Sequence, residues 1–385
     1  MGKKINTKII HVGSNPEIHQ GSINDPIYKN STLVFKNYKS FLNAKRNKFT
    51  LPYYGRFGGY TIKRLEKIIS SLYSSENSII TSSGLSSITI TLQSLLKQND
   101  EILVTENCYE PVANFLNSHL SRFGIKSKYY NSNVKSISKL INNNTKVIYL
   151  ESPGSLNFEV QDIEEISKIA KERKIITVMD NTWSTFLGCN PFNFGIDIVV
   201  ESLTKYFSGH SDNFCGIITC SNKYYLDLKK TAVRLGDFVS PESCFDAVKG
   251  LKTLPTRMKQ HQANSDFVYK FLRKFKIVDE IIYLPEKKNK YNKLWKKYHS
   301  LNNGLITFSL IKKNKIEKFL NNLKLFKLGF SWGGYESLII PINSLKPAIK
   351  NSKINNYWFR IHVGLEAKED LTNDLKFAID KYEEK

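Results

Sequence analysis

At 385 residues the chain is too long for one ordinary small domain and short for three; 41% hydrophobic and 24% charged residues mark a globular protein with a sizeable core, not a disordered one. Its net charge of +22 rests on 48 lysines against nine arginines, and the scarcity of arginine, the better residue for bidentate phosphate and base contacts, speaks against nucleic-acid recognition as the main function. No apolar run approaches the roughly 18 residues of a membrane span, and MGKKINTKIIHVGSNPE lacks the apolar stretch of a secretory signal, so the expectation is a cytoplasmic protein without a membrane partner.

In chain order, residues 1–50 carry little periodicity and read as an N-terminal arm, of the kind that packs against a neighbouring subunit. From Thr61 onward, Ile62, Leu65, Ile68, Ile69 and Leu72 recur at helical spacing; NSIIT follows as a strand, GLSSITITLQSLLK as a helix and EILVT as a strand. KVIYLES, the amphipathic QDIEEISKIAKERK, IITVMDN and IDIVVES continue the alternation. Short β-branched runs separated by helices predict an α/β domain over 51–240, with a mainly parallel sheet covered on both faces. After about Pro241 a long helical stretch, GLITFSL, the helical KIEKFLNNLKLF, ESLIIPI and YWFRIHVGL read as a smaller α+β domain over 241–385. The densest basic stretch, Glu286 to Ser300, interleaves lysines with Tyr291, Trp295 and Tyr298 and reads as a solvated surface segment before a single-strand binder.

In such sheets ligands collect beyond the carboxyl ends of the strands. Polar residues that end apolar runs are therefore the candidates: Thr81–Gly84, Tyr109, Asp180, and Ser202–Lys205. Lys205 alone is ambiguous, because a strand-end lysine usually just reaches solvent, whereas burial lowers its pKa and makes it a nucleophile towards a carbonyl. Asp180, 25 residues upstream at the end of the preceding strand, resolves the ambiguity: a pyridine-ring cofactor needs a carboxylate to keep its ring nitrogen protonated. In TSSGLSS small residues stand where a strand hands over to a helix, and Ser83, Gly84 and Leu85 can seat a phosphate there, with the hydroxyls of Ser202 and Thr204 completing the shell. Arg56, beside Tyr54 in PYYGRFGGY, is a second phosphate candidate or an ordinary turn residue. Arg360, in an apolar strand, must find an anion, either a substrate carboxylate or a structural ion pair. The five cysteines form no CxxC pair and the histidines no HxxxH or HExxH, so neither a disulfide framework nor a metal is expected.

Nine motifs in order, YYGRFG, SSGLSS, NCYEP, YLESPGS, MDNTW, ESLTKYFSGHSD, GLKTLPTRMKQH, FSWGGYESL and RIHVGLE, resemble over nearly the whole chain the cystathionine β-lyase branch of the cysteine/methionine metabolism family of pyridoxal phosphate enzymes. The resemblance implies the aspartate-aminotransferase-like fold, with a mainly parallel seven-stranded sheet in the large domain. It implies pyridoxal 5'-phosphate held by Lys205 as a Schiff base, Lys205 also shuttling protons, Asp180 on the pyridine nitrogen, and Tyr109 stacked on the ring as a catalytic partner. Ser83, Gly84, Leu85, Ser202 and Thr204 would bind the phosphate. Tyr54 and Arg56 would reach the cofactor of a neighbouring subunit, Tyr54 also touching substrate, in a homotetramer built as a dimer of dimers. Ser331, Trp332 and Arg360 would line the substrate side, with Arg360 on the α-carboxylate of an amino-acid thioether. The activity implied is β-elimination of L-cystathionine to L-homocysteine, pyruvate and ammonia, a step of methionine biosynthesis. Cystathionine γ-synthase, cystathionine γ-lyase and methionine γ-lyase share the cofactor site but usually carry Leu where Trp332 stands. Two departures stand out: SLTK lacks the Ala that often precedes the Thr, and Phe330 replaces a Tyr that similar lyases can carry. The alternative of another class is a catalytically silent binding or regulatory protein, against which Lys205, Asp180, Tyr109 and Arg360 all stand intact.

Overall fold

The computed structural model of the chain describes residues 4–348 and 355–384. Seven strands, β1 (Asn77–Thr81), β2 (Glu101–Thr105), β3 (Lys126–Tyr130), β4 (Thr145–Glu151), β5 (Ile176–Asp180), β6 (Ile198–Ser202) and β7 (Gly216–Cys220), form one sheet in the order β1-β7-β6-β5-β4-β2-β3. β3, β2, β4, β5 and β6 run parallel, and β7 lies antiparallel between β6 and β1. This is the mainly parallel sheet that alternating β-branched runs predict, and helices cover both faces, so the central strands are buried almost throughout. β3 and β7 are not among the strands read from the sequence. β3 is an edge strand carrying Lys126 and Lys128, the usual protection of an exposed edge, and β7 returns from the segment after β6 without a helix between them.

Side chains alternate between the faces with period two. Leu103, Ile148, Leu150, Met179, Val199 and Ile217 point into one core, which includes Leu65, Ile69 and Tyr73 of the helix Tyr60–Tyr73. Ile102, Val104, Val147, Tyr149, Val178, Ile198 and Val200 point into the other, shared with Ile88 and Leu92 of the helix Gly84–Leu95. Glu151, Asp180 and Ser202 continue the parity of Tyr149, Val178 and Val200. All three strand ends therefore open on the face that carries the helix Gly84–Leu95.

The second sheet joins β8 (Val278–Ile282), β9 (Leu305–Leu310), β10 (Lys327–Leu328), β11 (Leu338–Ile342) and β12 (Tyr357–His362) in the order β10-β11-β12-β9-β8. The helix Pro241–Leu272, capped by Ser240, contributes Leu251 and Leu254 to the first core of the large sheet and Val268 and Leu272 to the core of the small one. KIEKFLNNLKLF, read as a helix, keeps only the turn Glu317–Leu320. Beyond it the carboxylate of Asp374 accepts the N–H groups of Lys324, Leu325 and Phe326 at 2.7, 2.9 and 3.1 Å, giving the backbone partners outside a helix. In the basic stretch the rings of Trp295 and Tyr298 are buried, so they are not offered for base stacking. Among the described residues no helix is long and apolar enough to cross a membrane.

Candidate active site

Asp180 ends β5 buried, and its Oδ1 accepts the Thr182 N–H at 2.8 Å. Burial pushes its carboxyl up, while hydrogen bonds from Thr182 and Tyr149 and the charge of Lys205 pull the other way. Glu151 is its register partner across β4 and β5. Burial, and then Asp180 itself, drive Glu151 well above the usual carboxylate range. Two carboxylates side by side in a buried site share protons. A cationic ring nitrogen on Asp180 would relieve the pair, with Glu151 left neutral.

Lys205 lies three residues beyond β6. Its Nζ donates to Ser331 Oγ at 2.6 Å and stands 5.5 Å from the centre of the Trp332 ring. Burial first, then the like charge of Arg360, lower its pKa to about 8, with Asp180 opposing. An amine so placed is partly neutral near physiological pH, as a nucleophile towards an aldehyde must be.

Arg360, buried on β12, donates from Nη1 to Ser155 O and from Nη2 to Ser331 O, both at 3.3 Å. Among the described residues no carboxylate pairs with it, so the structural ion pair considered above is not found; burial lowers its pKa to about 10. Two long bonds to carbonyls leave a guanidinium able to take a bidentate anion. Trp332 is buried against Tyr206, whereas the neighbouring Phe330 is 90% exposed.

Ser83 caps the helix Gly84–Leu95 by accepting the Ser86 N–H at 3.0 Å. Gly84 and Leu85 supply first-turn N–H groups that no earlier carbonyl of the helix can take. A Cβ on Gly84 would lie 2.9 Å from Ser202 Cα, so only glycine lets helix and strand end meet here. Ser202 donates its N–H to Thr182 Oγ1 at 2.8 Å. The Thr204 hydroxyl is engaged by Cys215, accepting its N–H at 3.1 Å and donating to its carbonyl at 3.3 Å. Tyr109 gives its N–H to Glu151 Oε2 at 2.6 Å; burial, Glu151 and Asp180 raise its phenol pKa, against Arg360.

Lys205, Asp180, Tyr109, Arg360, Ser331 and Trp332 are thus brought together, with Gly84, Leu85 and Ser202 at the neighbouring strand and helix ends. Tyr54 and Arg56 are not joined to them: Arg56 Nη1 reaches Val233 O at 3.4 Å, and its guanidinium lies by the rings of Tyr54 and Phe57. Glu151, Tyr149 and Thr182 are absent from the residues picked out by sequence. The strand-end rule that selects Asp180 from IITVMD selects Glu151 from KVIYLE equally well.

A buried carboxylate with no ion-paired cation among the described residues, a lysine with depressed pKa and a glycine-permitted helix N-terminus fit a phosphorylated pyridine aldehyde. Comparison with known proteins agrees. The model of the family described as Cys/Met metabolism PLP-dependent enzyme matches residues 6–380. The chain is 32% identical over 386 residues to an L-alanine/L-glutamate racemase of Wolbachia pipientis wMel, covering 96% of each chain. It is 30% identical over 387 residues to a cystathionine beta-lyase of Escherichia coli (strain K12), covering 97% of each. Among solved structures, a cystathionine gamma-lyase from Lactobacillus plantarum complexed with L-serine superposes with a TM-score of 0.90 at 25% identity, covering 99% of both chains.

Proposed function

The chain belongs to the Cys/Met metabolism family of PLP-dependent enzymes, and from that membership we propose that it cleaves L-cystathionine by β-elimination to L-homocysteine, pyruvate and ammonia. The observation that carries this choice is Trp332, whose buried indole has its centre 5.5 Å from Lys205 Nζ and would narrow the space beyond the reacting carbon. Pyridoxal phosphate, when bound, supplies the electron sink for the charge left at Cα. Asp180 would hold the proton on the ring nitrogen, and Tyr109 would stack on the ring. Gly84 and Leu85 would donate backbone N–H groups to the phosphate, joined by Ser83 and Ser202, whereas Thr204, whose hydroxyl and N–H both go to the Cys215 carbonyl, would join them only by giving up one of those bonds. Arg360 binds the α-carboxylate of the substrate. Lys205, kept in place by Ser331 Oγ, takes the proton from Cα and returns it to the departing sulfur. The Cβ–S bond breaks, its electron pair leaves with homocysteine, and the three-carbon remainder takes up water to give pyruvate and ammonia. Tyr54 and Arg56 serve a second copy of the chain, in a dimer that pairs into a tetramer.

Incubation with cystathionine tests the choice. Homocysteine with pyruvate supports β-cleavage, whereas cysteine with 2-oxobutyrate overturns it in favour of γ-cleavage. Lys205→Ala should lose about 10³-fold in turnover, the scale of a positioned acid–base group, and near-normal pyruvate release by that variant would refute the assignment of Lys205. A second reading, inversion at Cα, is favoured by the Wolbachia relative and by the position of Tyr109, a second proton-bearing group near Asp180 and Arg360. D-alanine formed from L-alanine, with cystathionine left intact, would establish it instead.

A further inference from the structure

The loop Ser331–Gly334 is held against the lysine segment in a conformation it does not favour by itself. Ser331 sits at φ 107°, where side chains are rarely tolerated, and such strain persists only when the surroundings over-determine it. Gly333 packs so tightly that a Cβ there would lie 2.6 Å from Tyr206 N and 2.9 Å from the Lys205 carbonyl carbon. Two bonds from β12 hold this backbone. Arg360 Nη2 donates to Ser331 O at 3.3 Å, and His362 Nε2 accepts the Gly333 N–H at 3.1 Å. Arg360 and His362 are two apart on one strand and share a face. The His362 ring is buried between Tyr206 and His261, with centroids at 5.8 and 5.0 Å, so packing fixes its orientation.

We propose that His362 is a positioning residue for the substrate pocket: its Nε2, accepting the Gly333 N–H, fixes the loop that places Ser331 Oγ on Lys205 and the Trp332 indole beside it. This rests on Ser331, Trp332 and Arg360 facing substrate. The acceptor role requires a bare Nε2 and hence the ring proton on Nδ1, which has no acceptor among the described residues; a proton on Nε2 would point instead at the Gly334 carbonyl, 3.1 Å away, and leave the Gly333 N–H unpaired, so each tautomer leaves one buried donor without a partner and the His362 variants decide between them. Burial, and next the adjoining His261, keep the ring neutral, as an acceptor must be.

His362→Gln keeps an acceptor at similar reach, whereas His362→Leu fills the space without one. The measurements are cofactor absorbance, indole emission of the holoenzyme without substrate, with Trp332→Phe isolating Trp332 from the other tryptophans, and KM and kcat for cystathionine. His362→Leu should retain the cofactor, shift the Trp332 emission and raise KM about tenfold, the scale of an unsatisfied buried N–H, with a smaller loss of kcat. His362→Gln should restore both. Wild-type emission and KM in the Leu variant, or a Gln variant that behaves like Leu, overturns the proposal. Should the Leu variant fail to fold, His362→Asn, whose amide stops short of Gly333, takes its place with the same two outcomes. A wild-type protein that does not cleave cystathionine overturns the proposed activity and still leaves the emission comparison to decide the role of His362.

Discussion

Lys205 and Glu201 stand four residues apart at the end of β6, and burial displaces them in ways that experiment can separate. For Lys205, with its pKa near 8, the neutral amine grows as pH rises through that value. The rate at which apoprotein captures pyridoxal phosphate should therefore climb with a midpoint of about 8. Arg360→Leu removes a like charge and should move the midpoint up, towards the ordinary lysine value; a midpoint left in place would show that Arg360 does not act on this amine. Glu201 lies on the opposite face of the sheet from Ser202. Its Oε2 accepts from Tyr73 at 2.5 Å, its Oε1 has no partner among the described residues, and burial raises its pKa from 4.5 to about 8. Between those values the unfolded chain has released the proton and the folded one keeps it. Folded-state stability thus falls as pH rises across that window, by up to about 1.4 kcal/mol per pH unit. Glu201→Gln removes this term. In urea melts the variant should gain a few kcal/mol on wild type at pH 8 relative to the same comparison at pH 5, and an equal difference at both pH values would contradict it.

At the level of elements, the strand ends were the legible part of the site. Apolar runs locate β1, β2, β4, β5 and β6, and the residues that end β4, β5 and β6 are polar because they face the cleft and not the core. The rule cannot say which face an end residue takes, and so it does not separate Ser202, on the face of the helix Gly84–Leu95, from Glu201 behind the sheet. Nor can local pattern show that Ser331 meets Lys205, since the contact joins segments 126 residues apart and is formed only when the small sheet packs on the large one. Edge strand β3, with its lysines, carries too little apolar alternation to be read, and the helix expected through KIEKFLNNLKLF gives way to Asp374, a partner supplied by the last helix, Lys368–Glu383. A close approach between elements of the site is at Gly84. Gly84→Ala would press a methyl group onto Ser202, and overpacking of this kind costs about 1–3 kcal/mol. The helix N-terminus must then back away from the strand end. Dialysis should strip the cofactor from this variant faster than from wild type while far-UV circular dichroism stays unchanged; cofactor retention like that of wild type would mean that the contact does not govern the phosphate seat.

For the whole molecule, the placement of Arg56 is the informative feature. It is bonded to Val233 at the end of the helix Asn222–Arg234 and has no bond to the residues around its own Lys205. Beside the helix start at Ser83, a cavity of about 400 Å³ opens between Ser82, Ser86, Leu235 and Asp237, with Phe238 and Leu235 exposed at its rim. The N-terminal segment leaves Ile18, Ile23, Val34 and Tyr38 exposed as well. Apolar groups spread in this way over an arm and a cavity rim suit the twofold contact proposed above, in which each chain would lend Tyr54 and Arg56 to the other's cofactor. The arrangement makes a prediction about mixtures. Lys205→Ala and Arg56→Ala should each be nearly inactive alone. In a hybrid dimer one site carries both lesions and the other carries neither, because its lysine comes from the Arg56→Ala chain and its arginine from the Lys205→Ala chain. Random reassociation makes about half of the dimers hybrid, each with one intact site of two, so about a quarter of the wild-type activity should return. If Arg56 instead served the site of its own chain, every site in the mixture would still carry a lesion and no activity would return, even with dimers demonstrated by sedimentation.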